Sequence, residues 1–434
     1  MTQYPPNFGC SEAKTPLRIA VVYSRVPVPM RRADQMTVAH LLEFLHERKH
    51  VVDLYTLETG AEMSPDDRAW VSARTRRLFL YPRRRVRAAL ALLSGVSRGL
   101  PLQVALFNSR TMRRDLKREI LANQYDLVYV YYFRSAEVVR GLGRDLPSGS
   151  PGSSTATYIA LQLSQTLNTR RISENAPNLA YRALYALESR LVARYETMIW
   201  REFTHSILIG KSDLATINEV AHDLGRPPVT NSFFSAHGTD IARFKPSLEP
   251  TIPHSIVFSG VMRTPTNVQA VQWFVREVFP LVREQIPDAT FTIVGREPST
   301  EVRALEAEPG VEVTGTVPDP AGYIARAEVC VNPMQAGGGM QNKLIEFLAS
   351  GKPTVATSVA NEGISAPDSA IAIADEPQAF AEQVVQLLSD TDQATQLGQA
   401  ARKFVEDHWT WEAHFLDLER KLIERTLDPR DVGC

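Results

Sequence analysis

Short apolar runs rich in β-branched residues recur along the chain with helix-forming stretches between them, and this alternation restricts the fold more than any other feature. Five runs occupy the first half, at 17–24, 51–57, 125–133, 155–163 and 205–210. Six more follow, at 255–262, 289–296, 311–317, 328–334, 353–359 and 370–375. Because strands that alternate with helices form parallel sheets covered on both faces, the pattern predicts an α/β fold of two doubly wound, Rossmann-like domains that face a cleft.

A proline-rich segment at 244–255 separates the two series and predicts a linker, because its prolines disfavour a helix that runs through it. The helical stretch at about 375–425 is longer than the second domain needs, so we expect it to return to the first. The expected divisions are a flexible leader, an N-terminal domain, a C-terminal domain and a returning helix, at 1–16, 17–245, 246–405 and 406–434.

Composition narrows the class of protein. Of the 434 residues 44% are hydrophobic, which is enough to bury two cores. The cysteines Cys10, Cys330 and Cys434 lie far apart and fit neither a disulfide framework nor a zinc site, so a reducing cytoplasm is expected. No apolar run approaches the roughly 18 to 20 residues that cross a bilayer, and the N-terminus lacks the apolar centre of a secretory signal.

The net charge of −1 hides a strongly basic segment at 68–118, which carries fourteen Arg or Lys and one acid, Asp115. Within it, 76–107 interleaves arginines with apolar residues, and as a helix it would place Arg84 and Arg87 beside an apolar stripe. Such an element is typical of proteins on anionic membranes, which adds the inner face of the membrane to the cytoplasm as an expected location. A solvated face over an ordinary core stripe stays open, whereas nucleic-acid binding is disfavoured because no recognised module accompanies the charges.

Three consecutive glycines at 337–339 precede a helix that we expect to begin near Met340 or Gln341. The free N–H groups of a first helical turn form an anion site, and glycine lets a phosphate approach the backbone. On the helix, Lys343 and Glu346 are three residues apart and share one face. That pair suits a nucleoside diphosphate, with the lysine on phosphate and the carboxylate on the ribose hydroxyls. Read alone, the stretch also fits a flexible loop with a solvated ion pair, and it is not a P-loop.

Neighbouring segments extend this stretch into a longer pattern. Together they resemble the donor-binding domain of the retaining GT-B glycosyltransferases of family 4, closest to a subgroup linked to bacterial exopolysaccharide gene clusters. The matching segments lie at 258–298, 310–319 and 337–364, with further similarity at 236–246 and 408–419. The N-terminal domain is similar only at 18–29 and 186–213.

The resemblance implies transfer of a sugar, with retention at the anomeric carbon, from a nucleotide-sugar donor to a saccharide, lipid-linked or other hydroxyl acceptor. The N-terminal domain then takes the acceptor and the C-terminal domain the donor. It implies a catalytic set of Lys343, Arg263 and Glu346, in which Glu346 holds the ribose and the two cations face the diphosphate. The implied donor-binding residues are Gly260, Arg296, Gly315, Val317, Gly337, Gly338, Gly339, Met340, Gln341, Asn342, Lys343 and Glu346.

Bond breaking in such a reaction adds negative charge to the leaving diphosphate, which backbone N–H groups and Lys343 or Arg263 would stabilise. The scheme requires no divalent metal, and the sequence shows no cluster of metal ligands. No cofactor is expected beyond the nucleotide-sugar substrate.

Departures from the family pattern keep other functions open. Gly338 stands where relatives often have a glutamate, and Val261 and Asn267 stand where a basic pair is usual. The first strand is followed by Arg-Val-Pro-Val-Pro in place of a Gly-Gly turn. Beyond it, Asp34 is expected either to cap the next helix or to face the cleft. The alternatives to an active transferase are a nucleotide-sugar 2-epimerase and a catalytically weak partner subunit that binds nucleotide sugar.

Overall fold

The computed structural model describes residues 9, 12–13, 15–30, 32–58, 63–82, 91–92, 94–95, 97–122, 124–142, 155–162, 164–174, 179–235, 237–247, 249–336 and 340–427. The chain divides into two compact units, one formed by Met1–Ala236 with Phe415–Cys434 and the other by His237–His414. The sequence predicts the two changes of domain at 245/246 and 405/406, so by its contacts the second unit begins earlier and ends later.

The first unit contains a seven-stranded sheet in which every described pairing is parallel. Its strands are β1 (Arg18–Tyr23), β2 (Val51–Glu58), β3 (Arg77–Pro82), β4 (Leu127–Tyr131), β5 (Ala156–Gln162), β6 (His205–Leu208) and β7 (Ser232–Phe234). They lie in the order β3-β2-β1-β4-β5-β6-β7, so the chain switches direction of winding between β1 and β4. Every residue of β4 and β5 is buried, as expected for central strands covered on both faces.

Helices connect these strands, and the local sequence explains where some of them begin. Ser64 and Ser109 each cap a helix by accepting a hydrogen bond from a backbone N–H, at 3.1 Å from Asp67 and 3.3 Å from Met112. The helices of this unit before residue 237 are α1 (Ala33–Glu47), α2 (Pro65–Arg74), α3 (Leu102–Phe107), α4 (Arg110–Leu121), α5 (Ala136–Val139), α6 (Gln165–Glu174), α7 (Leu179–Ile199) and α8 (Lys211–Asp223).

The basic segment at 68–118 folds differently from the sequence prediction. The helix predicted for 76–107 is wrong at its start, because Arg77–Pro82 forms the edge strand β3, paired with β2. The arginines there have internal partners: Asp53, which is fully buried, lies 2.6 Å from both Arg76 and Arg77. The cluster at 83–87, with Arg84 and Arg87, lies outside the described residues.

The second unit contains a six-stranded sheet, parallel in every described pairing. Its strands are β8 (Ser255–Ser259), β9 (Thr290–Val294), β10 (Val311–Gly315), β11 (Val329–Asn332), β12 (Thr354–Ala356) and β13 (Ala372–Ile373). The order is β10-β9-β8-β11-β12-β13, again with a switch beside the first strand of the series. All six strands lie within the apolar runs that the sequence predicts.

The helices of the second unit surround one buried apolar cluster. They are α9 (Pro265–Trp273), which continues through a π-helical turn (Phe274–Val278) into α10 (Phe279–Gln285), then α11 (Thr300–Arg303), α12 (Pro320–Arg326), α13 (Asn342–Ala349), α14 (Ser358–Asn361), α15 (Pro377–Ser389) and α16 (Thr391–His408). The last helix, α17 (Trp411–Leu427), begins in this unit and ends in the first.

The stretch expected to be helical at 375–425 consists of three helices, α15, α16 and α17. Asp390 separates α15 from α16, and its side chain caps α16 by accepting from the N–H of Gln393 at 2.9 Å. Trp409 and Thr410 then separate α16 from α17. Among the described residues, the helices include none with the length and apolar character that a membrane crossing requires.

Candidate functional site

The carboxyl ends of β8 and β9 approach each other so closely that only glycine fits. Gly260 follows β8 and Gly295 follows β9. A Cβ on Gly295 would lie 1.7 Å from the carbonyl oxygen of Gly260, and a Cβ on Gly260 would lie 2.7 Å from the Asn267 amide nitrogen. Gly295 therefore excludes a side chain because the clash is with backbone, whereas a Cβ on Gly260 would displace the side chains of Asn267 and Lys343 that fill the space beside it.

Lys343 lies on the first turn of α13 and is held by neutral groups. Its ammonium donates to Asn267 Oδ1 at 2.6 Å, contacts Met334 Sδ at 3.4 Å and lies 4.8 Å from the centre of the Phe258 ring. Burial lowers the pKa of Lys343 to about 8, against a smaller opposing effect of Glu346. The described residues place no carboxylate in an ion pair with this ammonium, so its charge is available to an anion.

Asn267 fixes the position of that lysine. The residue is buried in α9, and its amide nitrogen donates to the carbonyl oxygen of Val261 at 3.1 Å. With the nitrogen engaged, the amide oxygen faces the ammonium of Lys343 as an acceptor. From the sequence, Asn267 stands out only as a departure from a basic residue; in the structure it is a positioning residue for Lys343.

Glu346 lies one turn further along α13 and is half-buried. Burial raises its pKa to about 7, while the charges of Arg243 and Lys343 act in the opposite direction. Its carboxylate has no hydrogen bond or ion pair to another described residue, so it can accept hydrogen bonds from the hydroxyl groups of a ligand. On the other side of the helix Leu344 and Leu348 are fully buried, which confirms the division of faces expected from the spacing.

Arg243 is a residue near the site that the sequence prediction missed. It is exposed, pairs with Asp319 at 3.0 Å, and is the larger of the two cationic influences on the Glu346 pKa. Its proximity depends on the chain from 237 onward folding with the second unit, which no local pattern shows. Arg243 could have been identified from its position inside the segment 236–246, which is similar to the family.

Two predicted donor residues lie on the exposed surface. The Arg263 side chain is 72% exposed and its Nε is 2.8 Å from a carboxylate oxygen of Glu297. The Arg296 side chain is exposed, and its carbonyl oxygen accepts from the N–H of Met262 at 2.9 Å. Neither has a described contact with Lys343 or Glu346, so their roles remain predictions.

The remaining predicted residues divide into four groups. Gly315 ends β10 with a φ of +73°, where a Cβ would lie 2.7 Å from an Arg303 guanidinium nitrogen, so glycine is required. Val317 and Met340 pack against the core of the second unit. Gln341 and Asn342 form the start of α13, half-buried and exposed respectively. The prediction for Gly337, Gly338 and Gly339 lies outside the described residues.

No group of three or more His, Cys, Asp and Glu side chains that could hold a metal ion occurs in the part of the chain that the structure describes. Cys330 is buried in β11, where burial raises the pKa of its thiol. Neither observation bears on the site, which consists of an ammonium and a carboxylate beside the carboxyl ends of β8 and β11.

Residues 253–390 match the family Glycosyl transferases group 1. The matched segment contains Gly260, Asn267, Lys343 and Glu346, and so covers the site of the second unit. A relative by sequence is an uncharacterised 44.6 kDa protein in the cps region of Klebsiella pneumoniae, 20% identical over 411 residues, which cover 90% of this chain and 96% of that protein.

Several solved structures share this architecture. Anabaena HepE, solved with UDP and glucose, is 12% identical with a TM-score of 0.56, covering 94% of this chain and 99% of that one. Sucrose-phosphate synthase from Thermosynechococcus elongatus is 18% identical with a TM-score of 0.54, covering 94% and 98%. Staphylococcus aureus TarM is 11% identical with a TM-score of 0.58, covering 94% and 99%. Two doubly wound domains with these neighbours confirm the expected GT-B fold.

Proposed function

We propose that the protein is a retaining glycosyltransferase that moves a sugar from a nucleoside-diphosphate-sugar to a saccharide, lipid-linked or other hydroxyl acceptor. The group 1 glycosyl transferase match at 253–390 and the GT-B fold support the transfer of a sugar from a nucleotide sugar. The cps-region relative fits a role in exopolysaccharide synthesis. A location at the cytoplasmic face of a membrane is a further part of the proposal. Retention of the configuration at the anomeric carbon and the class of the acceptor are both part of what we propose.

One observation carries it: Lys343 holds a half-buried ammonium on neutral partners, one helical turn from the half-buried carboxylate Glu346. In the proposal Lys343 binds the diphosphate, and the amides of Gly338, Gly339 and Met340 add donors. Glu346 accepts hydrogen bonds from the two ribose hydroxyls, as an ionised carboxylate can. The base packs near Gly315 and Val317, as the resemblance implies.

The catalytic contribution of these groups is electrostatic. As the anomeric bond breaks, negative charge grows on the leaving diphosphate, and a cation already in place stabilises that charge more than it stabilises the bound substrate. Arg263 is the second cation of the proposal, and reaching the diphosphate would require it to leave Glu297. The proposed reaction uses no metal ion and no cofactor.

The test is nucleotide binding by variants of the helix face. Isothermal titration with UDP, ADP and GDP identifies a nucleotide that binds. Lys343→Gln and Glu346→Gln are each expected to weaken its binding about tenfold or more, because a hydrogen bond to a charged group is lost. Lys403→Gln and Glu382→Gln are matched controls, since both residues are exposed on other helices of the same unit.

The assignment of Lys343 and Glu346 to nucleotide binding would be wrong if their variants bind the nucleotide as tightly as the controls do and all four variants unfold at the wild-type temperature. A screen of nucleotide sugars for released nucleoside diphosphate then separates functions. The ion pair of Arg263 with Glu297 favours a binding subunit without turnover as the second candidate. Tight nucleotide binding with no donor turnover supports that candidate, and a 2-epimerised donor supports the epimerase.

A further inference from the structure

The carboxyl edge of the first sheet holds a second group of charged residues. Strands β1 and β4 are adjacent and parallel, with Tyr23 opposite Tyr131 at their ends. Immediately beyond these ends the chain places Arg25 and Arg134. Ligands of open α/β sheets bind at this edge, and most readily where the strand order switches, which in this sheet is between β1 and β4.

Both arginines point at one carboxylate. Asp34 Oδ2 accepts from Arg25 Nη1 at 2.6 Å and from Arg134 Nη2 at 3.3 Å. The three side chains are only 16%, 13% and 15% exposed. Of the two sequence predictions for Asp34, capping is wrong: the cap position of α1 is Arg32, and the helix has no side-chain cap. Two guanidinium groups and one carboxylate leave the cluster with one positive charge in excess.

Aromatic rings hold the two cations close together. The Arg25 and Arg134 guanidinium carbons lie 5.4 and 5.3 Å from the centre of the same ring, Phe107, and Arg134 lies 4.5 Å from the centre of Tyr132. Burial and the neighbouring charge of Arg25 lower the pKa of Arg134. Its Nε is buried without a hydrogen-bond partner among the described residues, so a donor of this guanidinium is unused.

The backbone around this cluster is strained. Tyr132, directly after β4, has a φ of +71°, and Gln162, at the end of β5, has a φ of +70°. For residues with a side chain this conformation costs of the order of 1 kcal/mol each. The Tyr132 hydroxyl donates to Gln165 Oε1 at 2.7 Å, which ties the two strand ends together. Strain of this kind persists where it positions groups for a ligand.

A second cluster in the same unit shows what a purely structural arrangement looks like. Asp53 also receives two arginines, Arg76 and Arg77, but through four N–H groups at 2.6 to 2.9 Å and with a fifth bond from the Tyr125 hydroxyl at 2.7 Å. Arg77 is further neutralised by Glu119 at 2.8 Å. There both oxygens of Asp53 accept hydrogen bonds, and the charges of the two arginines are balanced by Asp53 and Glu119.

We infer that Arg25, Arg134 and Asp34 form an oxyanion-binding site, and that its ligand is a phosphoryl or carboxylate group carried by the acceptor. Guanidinium groups match the geometry of both oxyanions, and the single excess charge fits one bound anionic group. Asp34 holds the two arginines in place while the site is empty of ligand. The inference rests on the proposed function only in naming the acceptor as the bearer of the oxyanion.

The test measures binding of charged and neutral sugars to the full chain by titration calorimetry, both without nucleotide and with a saturating amount of any nucleoside diphosphate that binds. The probes are glucuronate, glucose 6-phosphate and methyl glucoside. At least one charged sugar is expected to bind about tenfold tighter than methyl glucoside, and Arg134→Gln and Arg25→Gln should each remove that difference. Whichever probe shows the preference identifies a carboxylate or a phosphoryl group as the natural partner.

Arg18→Gln is the matched control, because Arg18 pairs with Asp126 at the opposite end of the same strand. Equal binding of charged and neutral sugars, or equal effects of the Arg18 and Arg134 variants, would overturn the inference. If the Arg134 variant does not fold, Asp34→Asn decides: tighter binding of the charged sugar supports the site, and unchanged or weaker binding contradicts it. Oxyanion binding that depends on Arg134 in a chain that binds no nucleotide would refute the proposed function and leave this site standing.

Discussion

The carboxyl edges of the two sheets both hold cations, but they hold them in opposite ways. In the second unit, Lys343 rests on an amide oxygen, a thioether and an aromatic ring, none of which carries a charge. In the first unit, Arg25 and Arg134 are tied to the carboxylate of Asp34. The lysine therefore keeps its whole charge for a ligand, whereas the arginines share theirs with the protein.

Each arrangement has its own cost. An ammonium on neutral partners is harder to keep protonated in a half-buried position, which is why the pKa of Lys343 falls to about 8. An ion-paired guanidinium stays charged, but a ligand must compete with the carboxylate that already occupies it. We expect ligand binding in the second unit to depend on pH in the neutral range. In the first unit we expect it to depend chiefly on whether Asp34 is replaced by a neutral residue.

The largest expected effect comes from the glycine contact that underlies the second site. Gly295→Ala should destabilise the protein by about 3 kcal/mol or more and abolish nucleotide binding, because a Cβ would lie 1.7 Å from the Gly260 carbonyl oxygen. Gly322→Ala is the control: it lies in α12 with no atom within 4 Å of the added Cβ, so stability should hold or rise. Urea denaturation measures both, and equal stabilities would disprove the close contact.

A smaller effect is expected from making the second site resemble the first. Asn267→Asp would put a carboxylate 2.6 Å from the Lys343 ammonium in place of a neutral oxygen. Nucleotide affinity should fall about tenfold, because the cation would then be paired and the phosphate repelled. The measurement is titration with the nucleotide that binds the wild type. Undiminished affinity in a folded variant would show that neutral support of Lys343 is unimportant.

The smallest expected effect is a pH dependence confined to the second site. Binding requires an ionised Glu346 and a protonated Lys343, whose pKa values are about 7 and about 8. Nucleotide affinity should therefore rise as pH increases through 7, fall above 8, and vary by a few-fold in total. Glu346→Gln should remove the rise on the acidic side and keep the fall. If nucleotide affinity depends on pH in the same way in the Glu346→Gln variant, the rise comes from ionisation of the nucleotide and not of Glu346.

The fold was largely predictable, because parallel strands buried on both faces leave near-continuous apolar runs in the sequence. The exceptions are strands at the edge of the first sheet. In β3 a short apolar stretch is flanked by arginines, so its sequence resembles a basic amphipathic helix. Strand β7 has only three residues and was missed for that reason. The stretch at 375–425 is helical as expected, but its division at Asp390 was not predicted, because the capping role of that residue depends on where a helix ends.

The site was predictable only in part. The spacing of Lys343 and Glu346 follows from helical geometry alone, and their face of α13 is confirmed by the burial of the opposite one. Asn267 lies 76 residues from Lys343, so their contact follows from the tertiary fold and not from a local pattern. For Asp34 the sequence left two alternatives, and the structure contradicts only capping. Its contact with Arg134, 100 residues away, follows from no local pattern.

The pairing of Asp53 with Arg76 and Arg77 changes how the basic segment at 68–118 should act at a distance. An arginine whose charge is neutralised by a carboxylate of the protein adds little to the long-range field that attracts the segment to a charged surface. Arg74, paired with the buried Glu43, is in the same position. The attraction of this segment to an anionic membrane should therefore weaken less steeply with ionic strength than its fourteen basic residues suggest.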